Sequence, residues 1–450
     1  MSIFNHFPFT PRPGQTYVLE QIEKNWDRYD VFLIVAPTAF GKELCGTTII
    51  NWQQQGSFLV PNNLLLKQVV ANNPTFKTMV NKAAYKHNVA YQQAKRNLKG
   101  SKCVLNYYQY LANRAYNKLL VIDEAHLMVE HLQGFDSIKL WAHLDGFEEG
   151  QFSTSLDLLV WLEEHKSTTA RIKKAHTALQ NDLDKYIIKE DVATYRGKQS
   201  ICLTIQPLTP RDNTPIYWPR SVQKIVLMSA TINDEDLYDL GLDRRRVLKI
   251  EAPSPIPVAN RPLVYWPLGS MGHKSQEATL PKVVGWISDA LKAHPQKGIV
   301  HTTYSINAKL QRMLVAANIG TDRLIFHNKF NKAEKFNEWI GSTNKVLIAS
   351  GMYEGLDLAG DLARWQAVVK APFPNLTEPA INAKLRQRPD SYAWSTLKQI
   401  VQSAGRVSRS PTDFGTTYFL DSDIGRLVES NRQLVPRFFL EAWDKNRNTK

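Results

Sequence analysis

Leu119–Ile122 (LLVI) is an unbroken apolar run that stops at Asp123, Glu124, Ala125 and His126. A run apolar on both faces fits a central strand of a parallel sheet with helices packed on either side. Open α/β sheets place their ligands at the carboxyl ends of such strands. Adjacent carboxylates at that end suit a magnesium nucleotide: Asp123 would hold the metal through water, and Glu124 would orient and deprotonate an attacking water. A strand followed by an acidic helix N-terminus carries the same letters, so the decision rests on what lies upstream and downstream.

Upstream, Val31–Val35 (VFLIV) reads as a second buried strand, followed by Ala36-Pro37-Thr38-Ala39-Phe40-Gly41-Lys42-Glu43 and a helical run to Gln55. Strand, loop with Gly-Lys, then helix is the context of a phosphate-binding loop. Its backbone N–H groups and the helix N-terminus would cradle phosphates, and Lys42 would reach the β and γ oxygens. Two positions depart from the usual pattern: Ala36 replaces the first glycine, and Glu43 stands where a magnesium-binding Ser or Thr is usual. Glu43 is therefore a candidate metal ligand beside Asp123 and Glu124, with Thr38, Thr47 and Thr48 as alternative hydroxyl donors. The loop FPFTPRPGQ ends at Arg12 and Gln15, just before a helical stretch; a Gln amide matches N6 and N7 of adenine, and an N-terminal arm that merely packs would look the same.

Further along, Ser57–Val60 is a short strand, and Asn62 and Asn63 fit the cap of the next helix, whose free N–H groups suit a DNA phosphate. Tyr107, Tyr108 and Tyr110 follow a strand at Cys103–Asn106 and suit core packing. After His126 about ninety residues pass before Lys224–Met228 (KIVLM), far more than a loop. Leu156, Leu159, Val160 and Leu162, and then Leu179, Leu183, Tyr186 and Ile187, have helical spacing, which predicts a helical insert at about 127–218. The second of these patterns is basic, with Lys166, Arg171, Lys173, Lys174 and Lys185; this suits either a DNA-facing or a merely solvated helix. Ser229-Ala230-Thr231 places hydroxyls at the end of the KIVLM strand, where they can link the nucleotide to a neighbouring domain.

Residues 252–262 (APSPIPVANRP) hold four prolines in eleven positions and read as a linker. A second alternation of strands and helices follows, so two parallel-sheet α/β domains are expected, residues 1–252 and 263–450. In the second, Thr303 and Ser350 are candidate DNA contacts at strand ends, and Ser350–Asp357 forms a Gly-bearing polar loop. Gln402, Arg406 and Arg409 lie at the end of a predicted helix, with both arginines on one face; they would meet a γ-phosphate from across the cleft.

Composition narrows the partner. The chain of 450 residues has a net charge of +14 and 43% hydrophobic residues, an ordinary globular balance with a preference for polyanions such as nucleic acid. Cys45, Cys103 and Cys202 lack ligand spacing, which speaks against a zinc or iron–sulfur site and for a reducing compartment. The N-terminus has no signal pattern and no apolar run reaches membrane-spanning length; an intracellular location is expected.

In this order, the motifs resemble those of superfamily-two helicases. Ala36–Glu43, Pro61–Gln68, the DEAH box Asp123–His126 and Ser229–Thr231 match a first RecA-like domain; Ser350–Asp357 and Gln402–Arg409 match a second. Asn106–Leu111 (NYYQYL), Tyr353–Asp357 (YEGLD), Pro372–Pro374 (PFP) and Asp413–Gly415 (DFG) are most similar to XPD/DinG-type DNA helicases, without their four-cysteine module. The chain also resembles phage helicases that act on forked and branched DNA. The resemblance implies ATP and Mg2+ as cofactors, DNA as partner, adenine recognition by Arg12 and Gln15, catalysis by Lys42, Asp123, Glu124, Gln402, Arg406 and Arg409, and nucleotide–DNA coupling by Gly355 and Asp357. An RNA helicase of the DEAH type, or a binding scaffold with a non-hydrolysing site, would share much of this pattern.

Overall fold

The computed structural model describes residues 1–80, 87–113, 117–320, 322–328, 330–352, 358, 360–376 and 379–446. Gly355 and Asp357 lie outside the described residues. No helix among the described residues is long and apolar enough to cross a membrane.

The apolar runs of the first half form β1 (Val31–Val35), β2 (Gly56–Val60), β3 (Lys102–Asn106) and β4 (Leu119–Asp123). After an insert holding β5 (Ile138–Trp141), β6 (Tyr186–Tyr195) and β7 (Lys198–Pro207) come β8 (Lys224–Ser229) and β9 (Val247–Glu251). Strands β3-β2-β4-β8-β1-β9 make a six-stranded sheet whose pairings are all parallel. Every residue of β1 and β2 is buried, because helices cover both faces and divide the core into two layers. Burying each such aliphatic side chain is worth about 1.5–3 kcal/mol, so these central strands carry much of the driving force.

The proline-rich stretch joins β9 to β10 (Leu263–Gly269). β11 (Gly298–Thr302), β12 (Leu324–Phe326), β13 (Val346–Ser350), β14 (Trp365–Val368) and β15 (Thr416–Asp421) complete a second parallel sheet, ordered β10-β15-β14-β11-β13-β12. The two RecA-like parallel sheets expected from the sequence are therefore present.

The insert differs from expectation. It is not purely helical: helices Ser155–His165 and Ala170–Leu179 pack on an antiparallel sheet of β5, β7 and β6 around a core of their own. Leu183, Tyr186 and Ile187 do not continue a helix, since Tyr186 opens a ten-residue strand. The physical reason lies at Arg196 and Gly197, both left-handed (φ 49° and 84°), as a tight hairpin turn requires. Beyond it, Ile201, Leu203 and Ile205 alternate toward the core of the insert. β6 also packs against helix Pro379–Gln387 of the second half.

Gly298 opens β11 against the buried indole of Trp365; a Cβ there would lie 2.2 Å from Trp365 Cε2. No side chain at that distance fits without moving the ring or the strand. Gly298→Ala is expected to cost about 1–3 kcal/mol, read as a lower denaturant midpoint; an unchanged midpoint would contradict this packing.

Candidate nucleotide site between the two sheets

Neighbouring strands deliver the site. Val35 of β1 is level with Ser229 of β8, and Asp123 of β4 is level with Met228 of β8. The phosphate loop, the DEAH box and Ser229–Thr231 therefore leave the sheet at one edge.

Ala36 N–H donates to Ser229 O at 2.9 Å, tying the loop to β8. Pro37 and Thr38 lead to Ala39 and Gly41, which are both left-handed (φ 63° and 86°). A Cβ at Gly41 would lie 2.7 Å from Gln15 Nε2 and 3.0 Å from Arg12 Nη2, so only glycine fits. Those two side chains donate to Phe40 O, at 2.9 and 2.5 Å. Gln15 Oε1 accepts from Arg12 N at 2.9 Å. Gln15 is buried and engaged at both ends of its amide; in this arrangement it braces the loop and presents no free edge to adenine.

Lys42 begins helix Lys42–Gln53, and its Nζ lies 3.2 Å from Glu124 Oε1. Glu124 reaches it from a left-handed backbone (φ 50°), a conformation that costs a non-glycine residue roughly 1–2 kcal/mol and clusters at functional sites. Tyr107 Oη donates to Asp123 O, fixing the end of β4. Burial would lower the Lys42 pKa, but Glu124 and Asp123 outweigh it and raise it. Burial would likewise raise Glu124, yet Lys42 holds it below the usual carboxylate range. Asp123 is pushed up to about 7 by burial and by the charge of Glu124.

Asp123 Oδ1 is also buried without a hydrogen-bond partner. A buried, partnerless carboxylate oxygen beside a lysine and a second carboxylate suits a hard, oxygen-liganded divalent cation. Glu43 does not join it: its carboxylate accepts from Gln68 Nε2 (3.2 Å) and Asn72 Nδ2 (2.9 Å), because the neighbouring helix Asn63–Asn72 offers two amide donors. Thr47 Oγ1 is spent on Glu43 O at 2.9 Å. Among the described residues no group of three or more His, Cys, Asp or Glu converges on a metal position.

The second sheet closes the site. Lys42, Glu124, His126, Gln402, Arg406 and Arg409 line one cavity of about 430 Å³. Gln402 Nε2 donates to Thr231 Oγ1 at 3.0 Å and lies 2.8 Å from His126 Nε2. The imidazole nitrogen is then the acceptor, so its proton sits on Nδ1 and is donated to Ser229 Oγ at 2.7 Å. Burial pushes His126 down to about 4, which keeps it neutral. Arg406 and Arg409 do not share a helix face as the spacing suggested. The helix Pro389–Ala404 ends before them, and Asp413 accepts Arg409 N–H at 2.9 Å to shape the turn.

Several contributors carry no motif signal. Asp236, only 4% exposed in its side chain, accepts from Trp394 Nε1 and Lys398 Nζ, both at 2.8 Å. Arg388 adds ion pairs to Glu235 and Asp239. Hydrogen bonds to a buried charge are worth about 1.5–3 kcal/mol, whereas exposed pairs such as Lys292–Asp289 bring about 0–1 kcal/mol; Asp236 and the nearly buried Asp239 therefore anchor this contact between the halves. Phe438 packs on both cores and lines the same cavity. Only the folded chain brings it there.

The candidate DNA contacts lie away from the cavity. Asn62 Oδ1 caps the helix from Asn63 by accepting Leu65 N–H at 3.0 Å, and Asn63 Oδ1 accepts from Asn106 Nδ2 at 2.7 Å. Thr303 caps helix Tyr304–Ala316. Ser350, by contrast, is wholly enclosed; its hydroxyl accepts from Asn307 Nδ2 at 2.9 Å. It supports a strand end from inside and does not face outward, which corrects its expected role as a direct DNA contact.

The Asp123 geometry has a stability consequence. The folded protein holds a proton on Asp123 that the unfolded chain, titrating near 4, has released. Its carboxylate therefore weakens the fold progressively as pH rises from about 4 to about 7, and fully above that. In metal-free, nucleotide-free protein, Asp123→Asn is expected to raise the thermal midpoint at about pH 8, with the gain shrinking toward about pH 5. A midpoint at pH 8 no higher than that of the native chain would contradict this assignment.

Comparison with known proteins agrees with this arrangement. Residues 8–183 match the family described as type III restriction enzyme, res subunit, and residues 287–440 match the helicase C-terminal domain family. No curated protein matches by sequence. Among solved structures, an apo XPD shares 15% identity over 93% of this chain and 98% of its own, with a TM-score of 0.60. An XPD helicase shares 14% identity over 94% and 98%, with a TM-score of 0.61. S. tokodaii Xpd4 shares 14% over 93% and 97%, with a TM-score of 0.60. At that identity the structural likeness speaks for the fold alone, and the two family matches speak for its halves. Together with the paired sheets they agree on a fold of two RecA-like domains, the second of helicase C-terminal type.

Proposed function

We propose that the chain is an ATP-driven DNA helicase or translocase that acts on forked and branched DNA. The observation that carries the reading is Gln402: a side chain of the second half is bonded to His126 and Thr231 of the first, in the cavity that holds Lys42 and Glu124. Such a link makes closure of the two sheets depend on what occupies the cavity.

Lys42 would hold the β and γ phosphates, and Asp123 would hold Mg2+ through water. When bound, the metal neutralises phosphate charge. Glu124, ionised beside Lys42, would take the proton of the attacking water. Gln402 Oε1, buried without a partner, would accept that water's second hydrogen. Arg406 and Arg409 would meet charge developing on the transferred phosphoryl group. Arg12, Gln15 and the backbone from Ala36 to Gly41 would set the loop that surrounds the nucleotide. Asn62, Asn63 and Thr303 would grip the DNA backbone at helix N-termini, with Gly355 and Asp357 coupling that grip to the nucleotide. The net charge of +14 favours such a polyanion and makes the grip salt-dependent.

The test is ATP hydrolysis at fixed salt without nucleic acid, then with single-stranded DNA, a fork, a four-way junction and RNA. Stimulation by DNA, greatest with the fork or junction, is expected; equal stimulation by RNA would favour an RNA helicase. Lys42→Ala is expected to remove turnover above background, and retained turnover would refute the phosphate-loop assignment. Glu124→Gln is expected to keep nucleotide binding while lowering kcat by about 10²–10⁴; equal loss of binding would make Glu124 a structural partner of Lys42.

A further inference from the structure

The second sheet carries a pocket apart from the nucleotide site. It opens at the carboxyl ends of β11 and β12 and has a volume of about 320 Å³, the small end of ligand pockets, which run roughly 300–1,000 Å³. Its walls are rings and amides: Tyr304, Phe326, His327 and Phe330, with Gln311 and Asn328 among the polar groups. Among the described residues, no Lys, Arg, Asp or Glu lines it.

The floor is built, not incidental. Asn307 is 2% exposed, and its Nδ2 donates to Ile348 O and Ser350 Oγ, both at 2.9 Å. Ser350 N donates to His327 Nε2 at 2.9 Å, so the imidazole proton sits on Nδ1, near Asn328 O at 3.1 Å. Tyr304 meets that ring edge-on, with centroids 5.9 Å apart. At the rim, Asn328 Oδ1 accepts Phe330 N–H (2.8 Å) and Asn331 N–H (3.1 Å), and Asn331 Oδ1 accepts Asn328 N–H at 2.8 Å. Each of these two asparagines thus spends its carbonyl on holding the loop and keeps its NH2 group as a donor. Phe330, so held, is 97% exposed. An exposed phenyl ring at the mouth of an amide-bearing pocket is matched by a planar ligand with a π face and acceptor atoms on its edge.

We propose that this pocket takes one nucleobase of a single strand crossing the second sheet, with the base stacked on Phe330 and its edge met by the amides of Gln311, Asn328 and Asn331. The inference rests on the reading that the chain grips nucleic acid. It adds a base-stacking step to a grip otherwise made of phosphate contacts. Stacking of this kind tolerates sequence, because every base has a π face.

The test uses the full chain and labelled single-stranded DNA at fixed salt, with a thermal melt to check folding. Because Phe330 is exposed, Phe330→Ala is expected to melt normally and to bind the strand roughly 5- to 150-fold more weakly, the stacking of one base on an aromatic ring. Gln311→Ala is expected to shift affinity in the same direction by less. A single abasic site scanned along the strand should reproduce the loss at one position in the native chain and add nothing in Phe330→Ala. A 2-aminopurine at that position should change its emission on binding, and the change should vanish in the variant. Native chain that binds the strand well, with Phe330→Ala binding equally at every abasic position, overturns the pocket and leaves the grip standing. Native chain that binds no single strand overturns both. Free deoxynucleosides that bind the native chain as tightly as the strand does would make the pocket a small-molecule site and overturn the proposal.

Discussion

The site is built around the pairing of Lys42 with Glu124, whose side chains are 12% and 32% exposed in the cleft. Burial penalises either charge standing alone, and the pairing offsets that penalty. Each shifts the other toward its ionised form, and Asp123, third in the cluster, is left carrying the deficit. The left-handed turn at Glu124, the glycine at position 41 and the brace from Arg12 and Gln15 all serve to bring these groups to one point. The sheet supplies the rigidity, because β1, β4 and β8 are adjacent and in register.

The second half enters by a different kind of contact. Gln402, His126, Ser229 and Thr231 form a chain of neutral groups across the cleft, while the charged contact is displaced to Asp236, Trp394 and Lys398 at its side. Contacts of unlike chemistry thus hold the cleft, neutral ones beside Asp123 and Glu124 and charged ones away from them.

Much of this was legible in the sequence because the central strands are apolar on both faces and end in chemistry-bearing residues. VFLIV, LLVI and KIVLM could hardly be anything but buried strands, and Lys42, Glu124 and Gln402 meet where the motifs suggested. The misreadings have a common physical source. Leu179, Leu183, Tyr186 and Ile187 happen to fall at helical spacing, and the hairpin turn at Arg196–Gly197 outranks them. Glu43 is diverted by Gln68 and Asn72, Ser350 is enclosed by Asn307, and Gln15 is consumed by Phe40 and Arg12. In each case the partner comes from a different turn or element, and one-dimensional spacing does not report what a side chain has already been given to do.

The neutrality of His126 has a consequence for how the protein responds to its surroundings. A link of uncharged donors and acceptors is little affected by the ionic atmosphere, which damps interactions between exposed charges over roughly 8–10 Å. Hold on a polyanion, in contrast, falls steeply as counterions accumulate. On the proposed reading, salt would therefore loosen the hold on nucleic acid while sparing the neutral link at Gln402, so a chain stalled by salt would stall for lack of traction before that link gave way.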